Sequence, residues 1–347
     1  MVLLLFMNSC LREPDRPEQS ADTYVELYCQ DKSEITAYNL IEPIEANNLL
    51  IDAPKDYIPV QISKAGVFSK GHLLNAQNIW RPDYGSDNTK PFSGLIPTKE
   101  KLQRLLQTLG FKKGKTLLLY DAKANVDALR FAWVLNLYGF DHFKIINGGL
   151  VYWKKLGLPI SSKSTKPQRK TVYQLENNFD HSIIVSFKEV LSATKDTNTL
   201  LIDNREDYEY KGMPFIFKEE VLPFKKGAFE RGSIPSAIHL NWSQLADLNG
   251  DHRIKSEKDL RHDLKQQGID PNKNIILYCH SGSRTSHTFY VLKHVLGYEK
   301  VKNYDGSWIE WSYNHSKDST IPIAQHCSET QFLEYKDSLV SSLKMVE

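Results

Sequence analysis

The chain contains the same sequence pattern twice, and this repeat restricts the fold more than any other feature. Aligning Leu119-Tyr120-Asp121 with Leu277-Tyr278-Cys279 gives an offset of 158 residues. The offset holds without a gap from Ile96/Ile254 to Trp153/Trp311. A repeat of this length predicts a domain duplication, in which two units share one fold.

Two shorter matches extend the repeat upstream at slightly different offsets. We align Leu49–Asp52 with Leu200–Asp203, and Lys70-Gly71-His72 with Arg231-Gly232-Ser233. Each half alternates short apolar runs with segments of helical spacing. This alternation predicts an α/β fold with two tandem domains, each a parallel sheet flanked by helices.

Length and composition agree with two globular domains. The 347 residues suffice for two units that each bury a core, and 41% hydrophobic with 25% charged residues is ordinary for such proteins. We place the domains at residues 33–160 and 180–325, joined by a polar linker at 161–179. Residues 1–32 form an amino-terminal segment, and residues 326–347 form a carboxyl-terminal tail.

Charge and residue spacing argue against several classes of ligand. The 44 basic and 42 acidic residues are interspersed, so we expect no nucleic-acid partner. The histidines lack metal-ligand spacing and no Cys-x-x-Cys pair exists, so we expect no metal. No phosphate-binding or dinucleotide-binding glycine motif is present, and we expect no cofactor.

The second copy carries an activated cysteine. The apolar strand Ile275–Tyr278 runs into Cys279, and a short polar loop then leads into a helix-like stretch, Ser286–Leu296. A helix start directs unpaired N–H groups and a positive dipole end at an anion in the loop. Arg284 adds a positive charge, so we predict that the thiolate of Cys279 is favoured near neutral pH.

The first copy lacks these features. Asp121 stands in place of the thiol, and Ala124 and Val126 replace the glycine and the arginine of the loop. A carboxylate at this position would repel an anionic ligand. The comparison predicts one functional site per chain.

Several motifs occur in a specific order along most of the chain. In the second half they are Leu201-Ile202-Asp203-Asn204-Arg205, Tyr208–Gly212, Arg231–Ala237, Cys279–Arg284 and Asn303–Trp308; in the first half they are Gly71-His72, Leu119-Tyr120-Asp121, Arg130 and Asn147-Gly148-Gly149. Together they resemble the tandem-domain rhodaneses, the thiosulfate or mercaptopyruvate sulfurtransferases. The resemblance implies an inactive amino-terminal domain and sulfur transfer by double displacement. In that reaction Cys279 takes a sulfane sulfur from a donor such as thiosulfate, holds it as a persulfide, and passes it to cyanide or a thiol.

The sequence departs from the family pattern at three places. Ser233 replaces the histidine of the family's Gly-His-Ile-Pro-Gly-Ala motif, and Ser236 replaces its second glycine. We expect these changes to alter a turn rather than the chemistry. The loop after Cys279 matches neither the vertebrate thiosulfate enzymes nor the mercaptopyruvate enzymes and resembles bacterial rhodaneses. The donor therefore stays open between thiosulfate and mercaptopyruvate.

The loop supplies the candidate site residues. Cys279 is the predicted nucleophile, and the loop N–H groups would stabilise its thiolate and then the persulfide. The candidate substrate-binding residues are His280, Ser281, Gly282, Ser283, Arg284, Thr285 and Trp308. We expect positive φ at Gly282 and a contact from Arg284 to the donor's sulfonate. The alternative for Arg284 is an inward pair with a carboxylate such as Asp203.

Other side chains have two interpretations each. Asp203 and Arg205 are predicted to form a structural ion pair that shapes the pocket. His280 is either an acid or base or a solvated loop residue. Trp308 is either a pocket wall or a core aromatic. Lys225-Lys226 either overhang the site or are exposed loop charges, and we favour the second interpretation.

Two other functions share features of this loop. Tyrosine phosphatases carry five residues between cysteine and arginine, whereas this loop has four, His280 to Ser283, so we do not expect a phosphatase. A persulfide carrier or sulfur sensor that docks a partner protein is the stronger alternative. Multiple turnover with thiosulfate and cyanide, as against a single loading event, separates the enzyme from the carrier.

The amino terminus bears on location. Val2–Met7 is apolar and is followed by Asn8, Ser9 and Cys10, which resembles the end of a bacterial lipoprotein signal with Cys10 as the lipidated residue. The run is too short to span a bilayer. We predict a tether at the periplasmic face of a membrane, with a cytoplasmic protein as the alternative, and we expect a monomer.

Overall fold

The computed structural model describes residues 37–87 and 91–344. The predicted lipoprotein signal with Cys10 lies outside the described residues, as does Cys29. Within the described part of the chain, no helix is both long and apolar enough to cross a membrane.

The first domain is built on five parallel strands. Its strands are β1 (Leu40–Ile41), β2 (Tyr57–Ile62), β3 (His72–Leu73), β4 (Gln77–Ile79), β5 (Thr116–Tyr120), β6 (Phe143–Ile146) and β7 (Ile160–Ser161). Its helices are α1 (Pro43–Asp52), α2 (Ala65–Phe68), α3 (Arg81–Tyr84), α4 (Lys99–Thr108), α5 (Val126–Leu137) and α6 (Gly149–Lys155). The sheet order is β1-β6-β5-β2-β4, and β3 pairs with β7 in a separate antiparallel ladder.

The second domain repeats this architecture. Its strands are β8 (Ile184–Val185), β9 (Thr199–Asp203), β10 (Phe215–Phe217), β11 (Glu220–Leu222), β12 (Ile238–His239), β13 (Asn274–Tyr278) and β14 (Val301–Tyr304). Its helices are α7 (Phe187–Ala193), α8 (Asp207–Lys211), α9 (Glu257–Gln266), α10 (Ser283–Tyr290), α11 (Ser307–Lys317) and α12 (Glu329–Lys344). The parallel sheet has the order β12-β9-β13-β14-β8, and β10 with β11 forms a separate hairpin.

The two sheets have the same topology, which confirms the predicted α/β fold with two tandem domains. Equivalent hydrogen bonds recur in both copies. The Tyr120 hydroxyl accepts a bond from the Leu73 N–H at 3.0 Å, and the Tyr278 hydroxyl accepts one from the Ile234 N–H at 3.1 Å. Each tyrosine ends the central strand of its sheet and ties it to the motif that follows Gly71 or Gly232.

One of the upstream matches was wrong. Leu49–Asp52 is the last turn of α1 rather than a strand, and Ile51 is exposed. The true counterpart of β9 is β2, because β2 pairs with β5 as β9 pairs with β13. A run of three apolar residues is too short to distinguish a strand from a helix that turns one face to the core.

The domains pack through the helices that follow the two equivalent loops, α5 and α10. One continuous cluster of buried apolar side chains contains residues from both helices, including Phe131, Leu135 and Phe289. Because each helix begins at its loop, this packing brings the loop of the first domain beside the loop that carries Cys279.

The turn in which Ser236 replaces the family's glycine keeps a left-handed backbone. Ser236 has φ of 63°, and its counterpart Asn75 in the first domain has φ of 60°. Both side chains are exposed. Asparagine tolerates this region better than serine, and glycine adopts it without a steric penalty.

We expect Ser236→Gly to raise the free energy of unfolding by about 1 kcal/mol, because the substitution relieves a steric penalty and removes no buried contact. Urea denaturation measures the change. Asn75→Gly is the matched control and should gain less. A loss of stability for Ser236→Gly would show that the serine side chain makes a contribution of its own.

Candidate active site

The nucleophile candidate lies where a strand changes into a helix. Strand β13 ends at Tyr278, Cys279 starts the loop, and α10 begins at Ser283 directly after Gly282. The helix thus starts three residues earlier than the sequence predicts. Gly282 has φ of 83°, so the turn into the helix needs a left-handed residue, as expected for a glycine at this position.

The sulfur of Cys279 is surrounded by groups that favour its anion. The side chain is 1% exposed, and the Gly282 N–H donates to Sγ at 3.1 Å. Burial raises the pKa of the thiol, but the Arg284 guanidinium and the N–H groups of Thr285, Ser281 and Gly282 lower it, and the lowering prevails. The arrangement favours a thiolate at a lower pH than a free cysteine requires.

Arg284 is held by a carboxylate other than the one proposed as its alternative partner. Its Nη1 and Nη2 donate to Glu209 Oε2 and Oε1 at 2.5 and 3.0 Å, whereas Asp203 pairs elsewhere. Burial acts to raise the pKa of Glu209, but the Arg284 guanidinium holds it well below the ordinary value. The positive charge near Cys279 is therefore largely balanced before any ligand arrives.

The predicted ion pair between Asp203 and Arg205 is present and buried. Arg205 Nη2 lies 2.5 Å from Asp203 Oδ2, and the same atom donates to the Gly232 carbonyl at 2.7 Å. The guanidinium carbon lies 4.6 Å from the centre of the Trp308 ring. The pair thus links the end of β9 to the aromatic wall beside the loop.

His280 and Trp308 both line a narrow cleft beside the loop, whose enclosed volume is only about 10 Å³. His280 is buried rather than solvated: its Nε2 lies 3.0 Å from the Lys226 carbonyl, and burial lowers its pKa to about 3. The imidazole is therefore neutral at pH 7. Trp308 is 1% exposed and donates from Nε1 to the Glu230 carbonyl at 3.0 Å.

The segment between Gly212 and Arg231 places Lys225 beside the site, whereas Lys226 is an exposed loop charge, as we favoured from the sequence. It contains the hairpin β10–β11 and then Lys225, which lines the cleft. Lys225 Nζ lies 4.0 Å from Glu209 Oε1, and 43% of its side chain is exposed. Burial lowers the pKa of Lys225, and so does the charge of Arg284.

Two arginines of the first domain contact the loop, and the sequence did not predict these contacts. Arg81 Nη2 donates to the Ser281 carbonyl at 2.7 Å, and Arg81 Nη1 contacts the Ser283 hydroxyl. Arg130 Nη1 donates to the Gly282 carbonyl at 3.4 Å, and its Nη2 lies 2.5 Å from Asp305 Oδ1. Arg130 is part of a family motif, but no local sequence pattern predicts contacts between residues 152 to 202 positions apart.

The equivalent loop of the first domain is filled by its own side chain. The Asp121 carboxylate accepts hydrogen bonds from the N–H groups of Lys123, Asn125 and Asp127 at 2.6, 2.8 and 2.7 Å. Ala124 takes the position of the loop glycine with φ of 51°. The N–H groups that face a thiol in the second domain are thus already satisfied by the internal Asp121 side chain in the first.

The model of the rhodanese-like domain matches this chain twice, at residues 36–156 and 186–314. The chain belongs to the rhodanese family. Each match contains one of the two loops, so the duplicated sheet and the repeated motifs are two rhodanese domains. Among residues 37–87 and 91–344 of this rhodanese, no group of three His, Cys, Asp or Glu side chains is arranged to hold a metal ion.

Two named proteins illustrate what this rhodanese is similar to in sequence. The sulfur carrier protein TtuD of Thermus thermophilus is 32% identical over 71% of this chain and 84% of its own length. A protein of Mycolicibacterium smegmatis named "Putative thiosulfate sulfurtransferase" is 31% identical over 75% of this chain and 90% of its own length.

Solved structures share the fold at lower identity. An anaerobic ergothioneine biosynthesis enzyme from Chlorobium limicola aligns with a TM-score of 0.67 at 20% identity, over 84% of this chain and 71% of its own. The wild-type structure of EanB aligns with a TM-score of 0.68 at 21% identity, over 84% of this chain and 70% of its own. At 20% to 21% identity, the likeness to these structures shows a shared fold and nothing further.

We expect Glu209→Gln to lower the pKa of the Cys279 thiol by about 1 unit, because the charge of Arg284 is no longer balanced beside the sulfur. The same change should lower the free energy of unfolding by about 3 kcal/mol, since it leaves a buried guanidinium without its carboxylate. The pH dependence of alkylation by iodoacetamide measures the first effect, and urea denaturation measures the second.

The matched control is Glu257→Gln, which removes one exposed ion pair with Arg261 on α9. It should cost less than about 0.5 kcal/mol and leave alkylation unchanged. A thiol pKa that stays the same or rises in Glu209→Gln would contradict the assigned charge balance.

Proposed function

We propose that this rhodanese transfers a sulfane sulfur from thiosulfate to a thiol or to cyanide through a persulfide on Cys279. The proposal rests on the groups that surround the Cys279 sulfur. The Gly282 N–H donates to Sγ, and the Arg284 guanidinium lowers the thiol pKa, so the nucleophilic form is favoured.

The proposed reaction has two displacements at sulfur. The Cys279 thiolate attacks the outer sulfur of thiosulfate, the donor's S–S bond breaks, and sulfite leaves with the electron pair. The persulfide anion then takes the place of the thiolate in front of the loop N–H groups. A thiolate or cyanide attacks the outer sulfur, the persulfide S–S bond breaks, and the Cys279 thiolate is regenerated with its electron pair.

The charges along the cleft bear on the donor. Arg205 is paired with Asp203, and Arg284 is paired with Glu209. Lys225 is the more exposed cation, and its ammonium lies 4.0 Å from Glu209. In the proposed complex Lys225 contacts the sulfonate of thiosulfate, or the carboxylate if the donor is mercaptopyruvate, while Glu209 limits the affinity for dianions.

A sulfur carrier that is loaded by a partner protein is the second candidate. Three observations favour it: Cys279 is 1% exposed, the nearby guanidinium is already paired, and a relative at 32% identity is named a sulfur carrier protein. Such a carrier would turn over small anionic donors slowly and accept sulfur when a partner opens the cleft.

Intact-protein mass, measured after incubation with thiosulfate and again after cyanide, tests the proposal. Wild type should gain one sulfur atom and lose it to cyanide as thiocyanate. Cys279→Ser should gain none, whereas Cys327→Ser, at the other described cysteine, should behave as wild type. A gain that persists in Cys279→Ser contradicts the assignment of the nucleophile.

The same assay separates the candidates. Loading by mercaptopyruvate alone identifies that donor. Loading only by a protein persulfide, with one sulfur accepted per chain and no turnover of small donors, identifies a carrier.

We also propose that Cys10 is lipidated and tethers this chemistry to the periplasmic face of a membrane. The proposal is supported by the apolar run that ends at Cys10. In a bacterial host, Cys10→Ser should move the protein from the membrane fraction to the soluble fraction, and Cys29→Ser should not. An unchanged membrane fraction in Cys10→Ser would contradict a tether at this residue.

A further inference from the structure

Arg81 of the first domain contacts the peptide unit that faces the reactive sulfur. Its Nη2 donates to the Ser281 carbonyl oxygen at 2.7 Å. That carbonyl and the Gly282 N–H belong to one peptide unit, and the Gly282 N–H donates to Cys279 Sγ at 3.1 Å. The guanidinium and the sulfur therefore hold opposite ends of the same planar group.

Peptide geometry makes the two contacts dependent on each other. In a trans peptide the C=O and N–H bonds point in opposite directions, and the unit rotates as a whole. A donor that fixes the Ser281 oxygen therefore also fixes the direction of the Gly282 hydrogen. Gly282 has φ of 83° and no Cβ, so its own backbone restricts this rotation less than another residue would.

The contact also strengthens the hydrogen bond to sulfur. A charged donor on a carbonyl polarises the peptide, which makes the N–H at its other end a better donor. Arg81 Nη1 contacts the Ser283 hydroxyl as well, so the guanidinium spans two residues of the loop. Arg130 reaches the next carbonyl, that of Gly282, at the longer distance of 3.4 Å, and its main partner is Asp305.

We propose that Arg81 is a positioning residue for the sulfur chemistry: the domain that lacks the cysteine holds the Ser281–Gly282 peptide so that its N–H stabilises the Cys279 thiolate and the persulfide. The role at the persulfide rests on the proposed function, whereas the role at the thiolate does not. Arg81 acts through the loop peptide and not by contact with the donor.

The charged neighbours of Arg81 are consistent with this role. Asp127, in the first turn of α5, lies near both Arg81 and the Ser283 hydroxyl, and the Arg81 charge acts to lower its pKa, which burial and Asp121 raise to about 6. Arg81 is thus flanked by a carboxylate on its own domain and by a carbonyl and a hydroxyl on the other. In this arrangement the two terminal nitrogens of the guanidinium, Nη1 and Nη2, both face the Cys279 loop.

The test is the pH dependence of Cys279 alkylation by iodoacetamide in the full chain, which needs a thiolate and no sulfur donor. In Arg81→Gln we expect the apparent thiol pKa to rise by about 1 unit, which is about a tenfold lower alkylation rate at a pH below both pKa values. The control is Arg104→Gln at an exposed arginine of α4, which should react as wild type.

Arg81→Lys keeps the positive charge and one donor for the Ser281 carbonyl, so it should recover part of the lost rate. Near-ultraviolet circular dichroism of each variant checks that the fold is kept. If Arg81→Gln does not fold, the comparison of Arg81→Lys with wild type tests the proposal. Lysine lacks the two-pronged donor group of the guanidinium, and this loss alone should still lower the alkylation rate of Cys279 by more than twofold.

An alkylation profile within twofold of wild type in a folded Arg81→Gln would overturn the proposal. It would also be overturned if Arg81→Lys reacted like wild type while Arg81→Gln was slow, since charge alone would then account for the effect. Failure of the proposed function would give a different result. Wild type would then be alkylated normally by iodoacetamide, but its intact mass would show no gain of sulfur from any donor.

Discussion

The structure depends on how each domain satisfies the N–H groups of one loop. In both copies the central strand ends at a tyrosine, and the chain then turns through a left-handed residue into a helix. The first N–H groups of that helix have no partner within the helix itself. In the first domain these groups bind the Asp121 carboxylate. In the second they face the Cys279 sulfur, which therefore becomes the anion that the loop is built to hold.

Glu209 compensates the charge of Arg284 beside the sulfur. A guanidinium next to the sulfur favours the thiolate, but an unpaired buried cation would be costly, and Glu209 compensates it. The thiolate is thus favoured by the largely balanced Arg284 cation together with the backbone N–H groups of the loop. Such a site suits an anion that changes little in charge during the reaction, since a thiolate and a persulfide each carry one negative charge.

The sequence predicted the duplicated α/β fold from the long internal repeat, and it predicted the ion pair of Asp203 with Arg205 because both residues belong to one motif. It did not predict Glu209 as the partner of Arg284, or Arg81 and Arg130 beside the loop. Those contacts join residues between 75 and 202 positions apart, and they depend on how helices and domains pack. Leu49–Asp52 was misassigned for the opposite reason, since so short an apolar run carries too little information.

The contact between Arg81 and the loop has a consequence for the order of synthesis. The first domain emerges before residues 279–284, whether from the ribosome or from an export channel, and amino-terminal domains generally fold first. The preformed surface around Arg81 is then available as a template on which the loop settles. The Cys279 thiol would then be buried against the first domain soon after it emerges. Early burial shortens the time in which oxidants and other cysteines can reach it.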